Sequence, residues 1–136
     1  MMNAFNENTV ELAALEYFAE LGYRTGYGPV DAPVGDVRKQ PSDVVLWGRV
    51  EDALRRLNPG ASPQMVGEAL KRMQRAESQD MVLENQRIHD LMIKGVPVET
   101  TACDGQAITV LLRVIDFEDP VSNDWLVLNQ FTIIEN

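Results

Sequence analysis

Gly95-Val96-Pro97-Val98-Glu99-Thr100-Thr101 is the stretch at which the chain changes its period. Before it, apolar residues recur every three or four positions. After it, β-branched and aromatic residues crowd into three short runs, 96–101, 107–116 and 125–134. Helical spacing followed by extended chain predicts an α+β architecture, with α/β as the close variant. Asp104-Gly105 marks a turn between the first two runs, and Asp119-Pro120 through Asn123-Asp124 marks another. The last two runs are therefore expected to form an antiparallel hairpin.

Working back from Gly95, which suits a helix stop, a helix is predicted over 78–94, with Met81, Leu83, Ile88, Leu91 and Met92 facing inward. Ser62-Pro63 supplies an N-cap followed by proline at the first helical position, and Met65, Val66, Leu70 and Met73 form that helix's apolar stripe. Ser42 or Asp43 is expected to cap a helix that runs to Leu57 and is stopped by Asn58-Pro59-Gly60. Gly28, Pro29, Pro33, Gly35 and Pro41 predict a long loop, preceded by a short strand from Tyr23 to Tyr27. Asn8 or Thr9 is expected to cap the first helix, whose Val10, Ala14, Tyr17, Phe18 and Leu21 keep helical spacing up to Gly22. At 136 residues, one domain over 1–136 is the expectation: opening helix and strand in 1–27, a helical middle in 42–94 and strands in 96–136. The first helix would pack on a mixed or antiparallel sheet, with the middle helices as a cap.

The composition, 45% hydrophobic and 24% charged, is that of an ordinary globular chain, and no run approaches the length of a membrane span. The first residues have neither a basic flank nor an apolar core, so no export signal is read there. Cys103 is the lone cysteine, which excludes an internal disulfide and fits a cytoplasmic location. A net charge of −9 argues against nonspecific affinity of the whole chain for nucleic acid. The charge is uneven: residues 38–94 carry ten bases against eight acids, whereas the flanking thirds are strongly acidic.

Most chemical motifs are missing. There is no phosphate-binding glycine loop, and the glycines at 22, 26 and 28 do not lead into a helix as such a site requires, so an ATP site within the chain is excluded. His89 lies in a helical pattern without a second histidine, and Cys103 has no neighbouring cation to activate it. Asp116-Phe117-Glu118-Asp119 with Asp124 lacks the glycine of a calcium loop and reads as a solvated turn. Metal-dependent phosphodiester hydrolysis often uses an Asp followed by Glu-x-Lys on the next strand. Lys39, Lys71 and Lys94 are preceded at that spacing by Val37, Ala69 and Met92, so the motif is absent. Arg49, Arg55, Arg56, Arg72, Arg75 and Arg87 fall on the three middle helices and form a candidate phosphate-facing strip, although interspersed acids equally fit ordinary surface pairing.

Taken in order, several phrases resemble the N-terminal domain of the R subunit of type I restriction enzymes. Phe5-Asn6-Glu7-Asn8-Thr9-Val10-Glu11, Leu15-Glu16-Tyr17-Phe18 and Leu21-Gly22-Tyr23 are similar to that family's opening helix. Val44-Val45-Leu46-Trp47-Gly48-Arg49-Val50 with Ala53-Leu54-Arg55-Arg56-Leu57-Asn58-Pro59 resembles its second. Leu83-Glu84-Asn85-Gln86-Arg87, Gly95-Val96-Pro97-Val98-Glu99, Val114-Ile115-Asp116-Phe117, Asn123-Asp124-Trp125-Leu126-Val127 and Asn129-Gln130-Phe131-Thr132 complete the series.

The resemblance implies a restriction-endonuclease-like fold whose magnesium-binding Asp and Glu-x-Lys strands would follow Asn136, together with an ATP-driven motor. It further implies modification and specificity subunits and duplex DNA as partners. The cofactors Mg2+ and ATP would then belong to the parent protein, and this chain alone would be a non-catalytic scaffold. From the site it implies at most the acid of the first helix, Glu11, with Glu16 as alternate. An acid near a helix N-terminus also contributes roughly 0.3–1 kcal/mol with no catalytic role, so both readings of Glu11 stand. The alternative function is a stand-alone module that binds protein or DNA through the helical middle. A homodimer through the apolar edge of the last strand is also expected.

Overall fold

The structure is a computed structural model and describes residues 6–32, 38–40 and 42–134. The chain folds as two compact units, one from its two ends, through Trp47 and from Asp124, and the other from Gly48–Asn123. The class is α+β, with one parallel and one antiparallel strand pair. Phe5, Pro33, Gly35 and Pro41, named above, lie outside the described residues.

In the first unit, helix α1 spans Glu7–Glu20. Its cap is Asn6, rather than Asn8 or Thr9, because a capping side chain serves the amide three residues on. Asn6 Oδ1 accepts from both the amide and the hydroxyl of Thr9, each at 2.9 Å. Gly22, at φ +94°, turns the chain out of α1 into strand β1, Arg24–Tyr27. β1 pairs in parallel with β4, Leu126–Asn129, in the register Arg24 to Leu126 through Tyr27 to Asn129. α1 lies against both strands. Phe18, Tyr23 and Trp125 join them in an aromatic chain, with ring centroids 5.3 and 5.6 Å apart. A single helical turn, α2 (Gly28–Asp31), follows β1 directly, so Gly28 does lead into a helix where the sequence predicts only loop; Pro29 at the start of the turn is compatible with this because its missing N–H has no partner to lose there.

The second unit contains α3 (Trp47–Leu57), α4 (Pro63–Gln74), α5 (Met81–Lys94) and the antiparallel strands β2 (Val96–Thr101) and β3 (Ala107–Leu112). α4 packs on β2, and Val66, Ala69 and Met73 of α4 are buried, as are Val96, Val98 and Leu112 of the strands. Each of these side chains except the small Ala69 contributes roughly 1.5–3 kcal/mol by leaving water. Leu54 of α3 is buried completely.

Several boundaries and one pairing differ from the sequence reading. α3 starts at Trp47, not at Ser42 or Asp43, because the Asp43 carboxylate turns back to the amides of Lys39 and Gln40 at 3.1 and 3.0 Å. α5 starts at Met81 because Asp80 caps the amides of Val82 and Leu83, while Ser78 Oγ accepts from the Asp80 amide. β3 ends at Leu112, since the Arg113 amide leaves the ladder for Asn58 Oδ1 at 2.8 Å.

The expected hairpin between the last two runs is overturned: β3 pairs with β2, and β4 pairs in parallel with β1. The chain leaving β3 is too self-contained for a tight turn. The Asp116 carboxylate accepts from the amides of Glu118 and Asp119, and the Asn123 side chain clamps the Asp116 backbone at 2.8 and 2.7 Å. β4 stops at Asn129 because Gln130 takes a left-handed backbone, φ +53°.

Candidate functional site

Helical geometry puts Glu11 and Glu16 about 140° apart around α1. Glu11 faces the sheet, half-buried, and its carboxylate receives Asn129 Nδ2 at 3.2 Å and Gln130 Nε2 at 2.6 Å. Glu16 is exposed, and its side chain has no hydrogen-bond or ion-pair partner among the described residues. The two candidates are therefore physically unlike, and only Glu11 is held in place.

The position of Glu11 matters as much as its partners. Asn129 pairs with Tyr27, so both residues mark the carboxyl end of the parallel pair. In open α/β sheets, ligands gather outside this end. The geometry there is enforced by backbone: a Cβ on Gly28 would meet Gln130 O at 2.5 Å and Asn129 O at 2.9 Å, so only glycine allows α2 to start this close to β4. Asp31 ties down the same corner by accepting the Tyr27 amide at 2.6 Å. Gln130 is the one non-glycine residue at positive φ among the described residues, and its strain lies where its side chain reaches Glu11.

Asn129 Oδ1 is buried without a hydrogen-bond partner among the described residues. It and the Glu11 carboxylate are oxygen donors of the kind a hard divalent cation takes. No group of three or more metal-ligating side chains occurs among the described residues, so these oxygens do not by themselves make a metal centre.

The six arginines of the candidate strip are engaged in different ways. Arg55 pairs with Glu51 at 2.6 Å along α3, and Arg56 donates to Ser122 O at 3.1 Å. Arg49 is likewise engaged. Arg87 is the most committed: it pairs with Glu84 at 3.0 Å and donates to the carbonyls of Arg72 and Arg75 at 2.9 Å each, closing the last turn of α4 from α5. This ion pair and the Glu77 and Ser78 amides hold the Glu84 carboxyl below the ordinary carboxylate range, with the Arg87 hydrogen bond as the largest cause. Arg72 donates to Pro97 O at 3.3 Å, and Arg75 has no side-chain partner among the described residues. His89 and Cys103 are exposed.

Sequence reasoning missed the two amides that hold Glu11. Asn129 and Gln130 carry no charge, and no spacing rule links them to a helix more than a hundred residues away. It also missed Arg38, 93% buried, which donates to the carbonyls of Ala32 and Thr132 at 3.0 and 2.8 Å and lies 4.4 Å from the Phe131 ring centre. Nothing in the loop's composition marks that arginine as internal.

The fold is that of an α+β protein with a helix carboxylate fixed at the carboxyl end of a parallel strand pair, and comparison with known proteins narrows the class. The chain belongs to the family described as the type I restriction enzyme R protein N terminus, whose model matches residues 4–136. It is 32% identical over 131 residues to the HindI endonuclease subunit of a type I restriction enzyme from Haemophilus influenzae, a match covering 94% of this chain and 12% of that protein. A Methanocaldococcus jannaschii protein, provisionally named the type I restriction enzyme MjaIXP endonuclease subunit, is 27% identical over 124 residues, covering 91% of this chain and 12% of its own length. The chain thus spans about an eighth of the length of these relatives. No solved structure matches.

Proposed function

We propose that this chain is the entry segment of the DNA-cleaving region of a type I restriction R subunit, and that Glu11 contributes one carboxylate to the nuclease centre. The observation that carries the reading is the fixing of Glu11 by Asn129 and Gln130 at the carboxyl end of β1 and β4. Phosphodiester hydrolysis needs negatively charged ligands held in register against a divalent cation, which stabilises the charge developing on the attacking and leaving oxygens. Glu11 fits as one oxygen ligand for Mg2+. Asn129 and Gln130 would act as positioning residues, fixing its rotamer and leaving carboxylate lone pairs free. The remaining carboxylates and the lysine would come from other parts of the whole protein, as would ATP binding and DNA movement. By itself this segment acts as scaffold, and the modification and specificity subunits and duplex DNA are partners of the full assembly.

The direct test is a chimaera in which this chain replaces the matching segment of the Haemophilus influenzae subunit, assembled with its modification and specificity subunits. Glu11→Ala should abolish Mg2+-dependent DNA cleavage while leaving ATP hydrolysis intact, and Glu16→Ala should leave both unchanged. Full cleavage by the Glu11→Ala chimaera would remove Glu11 from the site. The chain alone should not cut duplex DNA; Mg2+-dependent cutting that Glu11→Ala abolishes would overturn the scaffold reading.

A further inference from the structure

The second unit carries an open cleft of about 610 Å³ between α4 and β2, remote in sequence from Glu11 and unused by the reading above. Its walls differ in kind: α4 contributes Glu68, Lys71 and Arg72, with Arg75 just beyond, and β2 contributes Pro97, Val98 and Glu99. We propose that this cleft binds an extended segment of a protein partner bearing a single acidic residue, which adds to β2 as a third strand and places that carboxylate on Arg75.

The backbone argument comes from register. In an antiparallel pair, alternate residues turn both N–H and C=O towards the neighbouring strand, and those between turn both away. The Ala102 amide donates to Gln106 O at 2.8 Å, which sets the parity: Val96, Val98 and Thr100 face β3, while Pro97, Glu99 and Thr101 face outward. Two observations agree with this. Proline, which has no N–H to give, stands at an outward position, and the outward carbonyl of Pro97 is the one that Arg72 reaches from α4. The pair has no third strand among the described residues. Glu99 and Thr101 therefore present both polar groups to the open side of β2, beside a helix that forms the second wall. A strand edge next to a helix is a geometry in which main-chain bonds supply affinity and side-chain contacts supply selectivity.

Charge decides the occupant. Lys71 is paired with Glu68 at 3.6 Å and Arg72 is bonded to the Pro97 carbonyl, which leaves Arg75 as the cation with no partner among the described residues. The carboxylates of Glu68, Glu77 and Glu99 line the same cleft, so a nucleic-acid backbone, with a phosphate at every step, would meet repulsion along most of its path. An extended peptide carries charge only where its sequence puts it, so one acidic residue can meet Arg75 while its backbone follows Glu99 and Thr101.

The test is panning of a phage-displayed random decapeptide library on the intact chain, followed by fluorescence polarisation and amide-shift mapping with the recovered peptides. Recovered peptides should carry an acidic residue and shift the amides of Glu99 and Thr101. Arg75→Glu should weaken them by about tenfold or more, the loss expected when a charge-assisted bond becomes a repulsion. Glu99→Pro should abolish binding while the Val98 and Thr100 amides keep their hairpin shifts, because it removes only an outward N–H. Glu99→Gln, which keeps that N–H, should bind. Failure to recover peptides bearing an acidic residue, binding that survives both Arg75→Glu and Glu99→Pro, or a DNA oligonucleotide shifting the same amides more strongly than any peptide would overturn the proposal.

Discussion

Arg87 separates a structural from a nucleic-acid role most sharply, because the sequence places it in a candidate DNA-facing strip and the structure turns it inward. Its guanidinium meets both oxygens of Glu84 at 3.0–3.3 Å and the carbonyls of Arg72 and Arg75 at 2.9 Å, with the two side chains only 15% and 19% exposed. Arg87→Met keeps the stem and removes the fork. Hydrogen bonds to charged groups contribute roughly 1.5–3 kcal/mol each, but water can reach the freed carbonyls and Glu84, so the net loss is about 2–3 kcal/mol rather than the sum. That corresponds to a change of roughly 30- to 150-fold in the folding constant. Urea denaturation followed by far-UV circular dichroism reads it directly. Arg87→Lys should recover less than half, because a single ammonium cannot span Glu84 and two carbonyls with the planar geometry of the fork. A loss under about 0.5 kcal/mol, the level of an ordinary surface substitution, together with weakened DNA binding, would refute the structural assignment.

Asn58→Ala removes the side chain that bonds Leu54 O at 2.7 Å and both backbone groups of Arg113 at 2.8 Å, and should cost about 2–3 kcal/mol in the same denaturation assay. Gly28→Ala drives a methyl group into Gln130 O; it should cost about 1–3 kcal/mol and displace the Gln130 amide resonance, whereas an unchanged spectrum would show that the corner is not tightly packed. Two carboxyls are held below their ordinary range, Glu84 chiefly by Arg87 and Asp116 chiefly by the Asp119 amide. A depressed carboxyl contributes stability that is present above its unfolded value and lost as pH falls through its folded one. Stability should therefore decline through the acid range, from about pH 5 downward, with Asp116→Asn and Arg87→Met each flattening part of the slope. An acid slope unchanged by either substitution would contradict both assignments.

How much was legible in the sequence depended on how local the determining interaction was. The Ser62-Pro63 start of α4 and the Gly22 and Gly95 stops follow from backbone chemistry within one turn, and they stand where expected. The β2–β3 turn at Asp104-Gly105 is of the same kind. The wrong pairing of the last strand arose because two adjacent extended runs look the same whether the chain between them forms a tight turn or a self-bonded loop. Only the Asp116 and Asn123 side chains, seven residues apart, distinguish these cases. Glu11, by contrast, was singled out through the family resemblance as the acid of the first helix, and its anchorage depends on β1 and β4 meeting in parallel, a contact between the two ends of the chain.

That long-range closure also explains why α1 is a poor amphipathic helix. Val10, Tyr17 and Leu21 are 59%, 69% and 74% exposed, while Glu11 on the same helix is turned towards the strands. A helix apolar on several faces ordinarily lies inside a larger core, and a polar group turned inward costs stability unless it is partnered. In an isolated globule both features would be selected against: the first exposes apolar surface, and the second needs two amide side chains and a strained Gln130 to accommodate it. They become compatible if α1 serves a sheet larger than β1 and β4, where further elements cover the exposed apolar face and the inward carboxylate has a task at the strand ends. The apolar excess of α1 thus goes together with the nuclease role proposed for Glu11, for which Asn129 and Gln130 add no apolar burial yet fix the carboxylate at the strand ends.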